Sequence, residues 1–188
     1  TLMTHQESID LFKSLGVQMT PELKTPVVEM PFEGDYSQQD YARQMLQEYL
    51  DAGVNPRKVW PQSFQLDDVL FWINEMPAFA DQAVFLDESP ITPDTASLAY
   101  MESLRTQGVK VLAPAIWKML TLNGRGDIVP SEYAENARAA GLDLKPLVGT
   151  DNATRPRGTR TCGWKHWKPS SPEHRRRAMA GAISSLCG

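Results

Sequence analysis

The sequence predicts an α/β fold built from consecutive βα units, and three features of residues 1–148 support this prediction. Amphipathic stretches alternate with short apolar runs, which is the pattern of helices separated by strands. A glycine stands at each of four joints between a stretch and the run that follows it: Gly16, Gly53, Gly108 and Gly141. Glycine readily adopts the left-handed conformation that ends many helices. Helices between successive strands also supply the crossovers that parallel strands need.

Five helices are predicted, the first over residues 1–15. The next two each carry one apolar face at helical spacing. Their apolar residues are Ala42, Met45, Leu46, Tyr49 and Leu50 in one helix, and Leu66, Val69, Leu70 and Ile73 in the other. Thr92 followed by Pro93 predicts an N-cap and a first helical position, opening a helix that carries Leu98, Met101 and Leu104. Pro130 opens the last helix, which carries Tyr133, Ala134 and Ala137 and ends at Gly141.

Five short apolar strands are predicted between these helices, at residues 17–20, 58–62, 82–86, 109–113 and 142–147. Residues 123–127, which hold two glycines, are predicted to be a turn-rich loop. Both a doubly wound sheet and a (β/α)8 barrel fit this order of elements. Polar residues follow the last apolar residue of several strands, as in Glu22, Gln62 and the pair Asp87 and Glu88. Polar groups that converge at one face favour the TIM-type barrel, here a partial barrel of about five βα units.

Composition and charge divide the chain into two parts. The chain has 188 residues, of which 41% are hydrophobic and 22% charged, which suits one globular domain. No run reaches the roughly 20 apolar residues needed to cross a membrane. Residues 1–148 hold 11 basic and 21 acidic side chains, a net charge of −10, which argues against a nucleic-acid partner for this domain. Residues 149–188 hold eight basic and two acidic side chains, a net charge of +6.

The basic tail at residues 149–188 lacks the periodicity of helices or strands and is predicted to be irregular or disordered. Three explanations stay open for it: a disordered basic arm, a patch for RNA or anionic lipid, and a segment translated out of frame. Cys162, His166, His174 and Cys187 match no common zinc spacing. We favour an out-of-frame or recombined end, because the change in composition is abrupt.

A carboxylate and an ammonium stand two residues apart at the end of the first predicted strand. Glu22 and Lys24 point to the same face if the strand continues through them. A carboxylate can hold a divalent cation and a lysine can hold an anionic oxygen, so this pair predicts phosphoryl chemistry. The alternative is a solvated surface pair just after Pro21.

Four segments, taken in order, resemble the glycerophosphodiester phosphodiesterase family over roughly residues 1–147. They are residues 16–24 with Glu-Leu-Lys, residues 59–64 with Gln-Ser-Phe, residues 83–88 and residues 128–133. The resemblance implies a (β/α)8 barrel that hydrolyses glycerophosphodiesters to sn-glycerol 3-phosphate and an alcohol. It implies a divalent cation, Ca2+ or Mg2+, as cofactor and a small glycerophosphodiester as substrate. It also implies a place in lipid and glycerol metabolism and favours a periplasmic or secreted location.

The resemblance assigns roles to four residues of this chain. Glu22 is similar to one of the family's three carboxylate metal ligands. Lys24 is similar to the catalytic and substrate-binding group that neutralises charge on the phosphoryl oxygens, and Gln62 and Phe64 are expected to line the substrate pocket.

Several family features are missing from the sequence. The family has a His-Arg pair, a Glu-x-Asp metal motif and a second catalytic histidine before the Glu-Leu-Lys strand, and this chain has none of them. Five strands cannot close an eight-stranded barrel, and open edges invite self-association. We therefore expect little or no hydrolysis by this chain alone. Two alternatives follow: a non-catalytic module that binds a metal or a phosphodiester, and a half-barrel that assembles with another chain.

Overall fold

The computed structural model describes residues 3–147 of the 188-residue chain. Its helices are α1 (His5–Leu15), α2 (Gln38–Asp51), α3 (Leu66–Glu75), α4 (Leu98–Thr106), α5 (Ile116–Met119) and α6 (Glu132–Ala139). Its strands are β1 (Gln62–Ser63), β2 (Val84–Asp87), β3 (Val111–Pro114), β4 (Leu120–Leu122), β5 (Ile128–Pro130) and β6 (Asp143–Leu144). The basic tail predicted at residues 149–188 lies outside the described residues.

The main sheet is parallel, and its strands lie in the order β1, β2, β3 and β6. Val84 of β2 pairs with Gln62 of β1 on one side and with Val111 of β3 on the other. The segment before β1 joins the sheet through two single parallel bridges, Met19 to Val59 and Glu22 to Gln62. The strands of this sheet therefore lie side by side in the same order as along the chain, and this order does not reverse. The predicted α/β fold with a parallel sheet is confirmed.

The helices of residues 3–147 pack on one face of the sheet. A single apolar cluster joins buried residues of α1, α2, α3, α4 and α6, and it includes Phe85 of β2 and Leu112 of β3. The opposite face carries a second cluster built from strand and loop residues: Val84, Leu86, Val111 and Ala113, with Trp60, Phe64 and Leu147 packed against them. We call this opposite side the helix-free face. Alternate residues of each strand point to opposite faces, which explains the division.

The four glycine joints are confirmed. Gly16, Gly53, Gly108 and Gly141 have φ angles of 69°, 67°, 98° and 78°. The tightest joint is Gly108, because a Cβ atom there would lie 3.0 Å from Cγ2 of Ile73 on α3. A side chain at this position would both strain the backbone and press on α3.

Two predicted helix starts are wrong. The helix predicted from Thr92 and Pro93 begins at Leu98, because Ser97 Oγ accepts the Tyr100 N–H and caps it there. Pro130 ends β5, and Ser131 caps α6 in its place.

The predicted loop at residues 123–127 is a turn between β4 and β5, which form an antiparallel hairpin that the sequence pattern did not predict. Strand bounds also differ from the predictions. The segment predicted at 17–20 makes one bridge, at Met19, and the second bridge lies beyond it at Glu22. The strand predicted at 142–147 pairs at β6 and again at Leu147. No helix within residues 3–147 is long and apolar enough to cross a membrane.

Candidate functional site

We call residues 19–22, which join the sheet through two bridges, the bridged segment. The structure brings Glu22 and Lys24 together at its end. The backbone is fixed there by two hydrogen bonds, because Gln62 N–H donates to Pro21 C=O and Leu23 N–H donates to Gln62 C=O, both at 2.9 Å. Lys24 Nζ lies 2.5 Å from Glu22 Oε1. The Lys24 side chain is 72% exposed, whereas that of Glu22 is 22% exposed. Glu22 thus holds a solvent-facing ammonium at the edge of the sheet.

Gln62 and Phe64 lie on the same side of the sheet as Glu22. Glu22 and Gln62 are parallel bridge partners, and side chains of such partners share a face. Gln62 is buried, and Phe64 packs against the apolar cluster of the helix-free face. The four residues predicted from the sequence therefore occupy neighbouring positions on one face, near the carboxyl ends of adjacent strands.

A second lysine reaches this face, and no pattern in the sequence indicated it. Lys145 follows β6, and its Nζ lies 5.5 Å from the centre of the Trp60 ring. Trp60 precedes β1, and two strands separate β1 from β6. Side chains from both ends of the sheet meet, so the helix-free face is concave. Trp60 is oriented by its indole N–H, which donates to Gln18 Oε1 at 2.8 Å.

Asp87 does not join Glu22, although it also stands at the carboxyl end of a strand. It lies on the helix side of β2, as Phe85 does, and only 1% of it is exposed. Lys118 Nζ lies 2.7 Å from Asp87 Oδ2 and is fully buried. Tyr133 of α6 donates its hydroxyl to the same oxygen, and Ser89 donates to Asp87 Oδ1. The expectation that Asp87 lines a mouth with Glu22 is wrong, because strand alternation turns it to the other face.

The electrostatics of this buried group follow from its contacts. Burial alone would raise the pKa of Asp87, but the hydrogen bonds from Lys118, Ser89 and Tyr133 outweigh burial and hold the pKa below its ordinary value. Burial, together with the adjacent Asp87 carboxylate, raises the pKa of the Tyr133 hydroxyl, so this phenol stays protonated. The Lys118 ammonium also lies 4.8 Å from the centre of the Tyr133 ring.

A second buried carboxyl group fixes the end of β1. Ser63 Oγ donates to Asp68 Oδ2 at 2.7 Å, and Gln38 Nε2 donates to Asp68 Oδ1 at 2.9 Å. Burial raises the pKa of Asp68, although these two hydrogen bonds oppose the shift. Since Ser63 directly follows Gln62, this contact anchors the candidate site to α2 and α3. Asp68 therefore supports the backbone next to the site and is not itself part of the site.

The residues at Glu22 do not fit a bound metal ion. Within residues 3–147, no three His, Cys, Asp or Glu side chains are grouped so that they could hold one. A hard cation such as Ca2+ takes six to eight oxygen ligands, and here Glu22 is engaged by Lys24. His5 lies on α1, where its ring contacts Glu48 and Tyr49, and His166 and His174 lie outside the described residues. The metal stays a prediction from the sequence.

The chain is similar to a protein named "Extracellular protein" from Arthroderma benhamiae (strain ATCC MYA-4681 / CBS 112371). The two are 43% identical over 145 residues, which cover 76% of this chain and 59% of that protein. The chain thus spans less than two thirds of the length of this relative. No family model matches the chain, and no solved structure matches it.

Proposed function

We propose that this chain is a sector of a (β/α)8 barrel of the glycerophosphodiester phosphodiesterase type. The complete barrel hydrolyses glycerophosphodiesters to sn-glycerol 3-phosphate and an alcohol, and this sector contributes a phosphate-binding lysine. We also propose that the protein is extracellular, on the basis of the name of its relative.

One observation carries the proposal: the strands follow one another in parallel while the helices occupy a single face. A doubly wound sheet places helices on both faces and reverses its strand order. A barrel keeps its helices outside and closes the other face around an apolar interior. The concave helix-free face, with Val84, Leu86, Val111 and Ala113 buried in it, supports the second arrangement.

Lys24 is suited to binding a phosphodiester oxygen. Its ammonium is a compact charge that donates up to three hydrogen bonds, and its exposure leaves it accessible to a ligand. Glu22 restricts where this ammonium lies, so less side-chain freedom is lost on binding. Gln62 and Phe64 occupy neighbouring positions on the same face, where Phe64 can provide an apolar wall for the alcohol portion and Gln62 an amide at its base.

A binding module without hydrolysis is the second candidate. Acid and base groups are needed to activate water and to protonate the leaving alcohol. Within residues 3–147 the only imidazole is His5, which is occupied by Glu48 and Tyr49. A half-barrel that pairs its sheet edges with another chain is the third candidate, since the strand order leaves the 19–22 segment and β6 at the two edges.

Two measurements on the full chain test these candidates. Release of glycerol 3-phosphate from glycerophosphocholine is measured with Ca2+ or Mg2+, and binding of the same compound is measured by calorimetry. Lys24→Ala is expected to weaken binding by about ten-fold, as for loss of one charge-assisted hydrogen bond worth about 1.5 kcal/mol. Glu22→Ala, which removes the carboxylate that restricts the Lys24 ammonium, is expected to lower turnover if the chain hydrolyses.

Lys110→Ala is the matched control. Lys110 is also an exposed lysine paired with a carboxylate, Asp81, but it precedes β3 and so lies at the opposite end of the sheet. Lys110→Ala is expected to bind glycerophosphocholine, and to hydrolyse it if the chain does so, as the original chain does. Turnover that neither Glu22→Ala nor Lys24→Ala changes would refute the site. Binding without turnover supports the module, and a dimer seen in sedimentation supports assembly.

A further inference from the structure

A cavity of about 860 Å3 lies between α1, α2, the bridged segment and the loop at residues 31–36. This volume is within the range of small-molecule sites. Lys24, Gln62 and Phe64 do not line it, and Glu22 is the one residue that it shares with the candidate site described above. Five aromatic side chains are among its lining residues: Phe12, Phe32, Tyr36, Tyr41 and Tyr49. Phe32 is 41% exposed, so one ring presents its surface to anything that enters.

The charged lining of the cavity is acidic apart from the imidazole of His5. One of its carboxylates, Glu22, is paired with Lys24, which does not line the cavity. Glu22, Glu33, Asp35 and Glu48 contribute carboxylates, and the described lining residues include no lysine or arginine. Within residues 3–147, Glu33 and Asp35 form no ion pair. Glu48 is held in place by His5 Nδ1 at 2.6 Å and by Gln44 Nε2 at 3.0 Å.

Together these features select one class of ligand. Aromatic faces attract cations, and carboxylates at the rim add to that attraction, whereas an anion would be repelled. The carboxylates are too dispersed for a metal ion, since residues 3–147 contain no grouped set of three ligands. The hydroxyls of Tyr36 and Tyr49 stay neutral. Burial raises the pKa of Tyr36, with Asp40, Tyr41 and Glu48 adding to the shift, and burial also raises the pKa of Tyr49.

We propose that this cavity binds a small organic cation with an alkylammonium group, held against Phe32 and Tyr36 and balanced by Glu33 and Asp35. This binding needs no metal and no phosphodiester. Glycerophosphocholine also carries this ammonium, so the phosphate site is judged from the effect of Lys24→Ala, and the cavity from the binding of choline, which carries no phosphate. A bulky ammonium also suits carboxylates that lie apart from one another, because its charge is spread over several methyl or methylene groups.

Choline chloride and its neutral isostere 3,3-dimethyl-1-butanol test the proposal by ligand-observed NMR titration of the full chain. Choline is expected to bind in the millimolar range and to do so more tightly than the isostere. Phe32→Leu keeps an apolar side chain without the ring and is expected to weaken choline binding about two- to five-fold. The double variant Glu33→Gln, Asp35→Asn is expected to weaken it by a similar factor.

Glu29→Gln is the matched control, because Glu29 is exposed nearby along the chain and does not line the cavity. It is expected to bind choline unchanged. Circular dichroism melting confirms that each variant is folded, which is expected since the changed side chains are exposed. Equal affinity for choline and the isostere, or a double variant that binds choline as well as Glu29→Gln does, would overturn the proposal.

Discussion

The ion pair between Asp87 and Lys118 is the contact whose removal should be most costly. Lys118→Met keeps the length of the side chain but leaves the Asp87 carboxylate with only Ser89 and Tyr133 as side-chain donors. Breaking a buried pair on one side typically costs 3–5 kcal/mol of unfolding free energy, and Asp87→Asn should cost about the same. Such a loss is large for a domain whose total stability is about 5–15 kcal/mol.

The double variant separates the pair from its surroundings. With Asp87→Asn and Lys118→Met combined, no buried charge is left unpaired, so the loss should be smaller than the sum of the two single losses by at least about 1.5 kcal/mol. Urea unfolding followed by tryptophan fluorescence measures all four free energies. Lys110→Met, which breaks the exposed pair with Asp81, should change the free energy only slightly. Strict additivity of the two single losses would refute the reasoning.

The same pair predicts a dependence on pH. Because the folded-state pKa of Asp87 is below its ordinary value, the stabilisation is fully present above that ordinary value and is lost as pH falls through the folded-state pKa. In Lys118→Met the lysine no longer lowers the pKa of Asp87, so we expect burial to raise it. The gap in unfolding free energy between the original chain and Lys118→Met should therefore narrow from pH 7 to about pH 4. A gap that stays constant contradicts the assignment.

Two further predictions concern local backbone structure, and urea unfolding measures both. Gly108→Ala should lower the free energy of unfolding by about 1–3 kcal/mol, because φ is 98° and the new Cβ meets Ile73. Gly124→Ala is the control, because nothing lies near a Cβ at that position. Equal losses in the two variants would contradict this reasoning. Ser97→Ala should cost about 1 kcal/mol by removing the cap of α4. Ser103 is an exposed serine inside the same helix, so Ser103→Ala should leave the free energy of unfolding unchanged or raise it slightly. A larger loss in Ser103→Ala than in Ser97→Ala would show that α4 begins elsewhere.

The helices and their joints could be predicted because their signals are local. The apolar spacing in α2 and α3 is set by residues within two or three turns of each other, and each glycine joint is one residue with a special backbone conformation. The start of α4 was misplaced for a related reason. Thr92 and Thr95 do form reciprocal hydrogen bonds typical of a helix start, but they close a separate turn, and Ser97 provides the true cap.

The buried network could not be predicted, because its partners are distant in sequence. Lys118 lies in a four-residue helix beside the exposed Ile116 and Trp117, so its surroundings indicate a surface lysine. It is buried because Asp87, 31 residues earlier, reaches it from β2. The meeting of Lys145 and Trp60 has the same character, since only the curvature of the sheet brings them together. Contacts of this kind depend on how distant elements pack against one another, which the local sequence does not determine.

Register also explains why the candidate site includes Glu22 and excludes Asp87. Both carboxylates stand where a parallel strand ends, and position along the chain does not distinguish them. Glu22 is the bridge partner of Gln62, which pairs in turn with Val84 on the helix-free face. Asp87 is three residues after Val84, an odd number, so alternation places it on the helix side, where Lys118 neutralises it. Polar groups at strand ends thus divide into two sets. Those in step with Val84, such as Glu22, lie on the helix-free face, and those out of step, such as Ser63 and Asp87, bind the helices to the sheet.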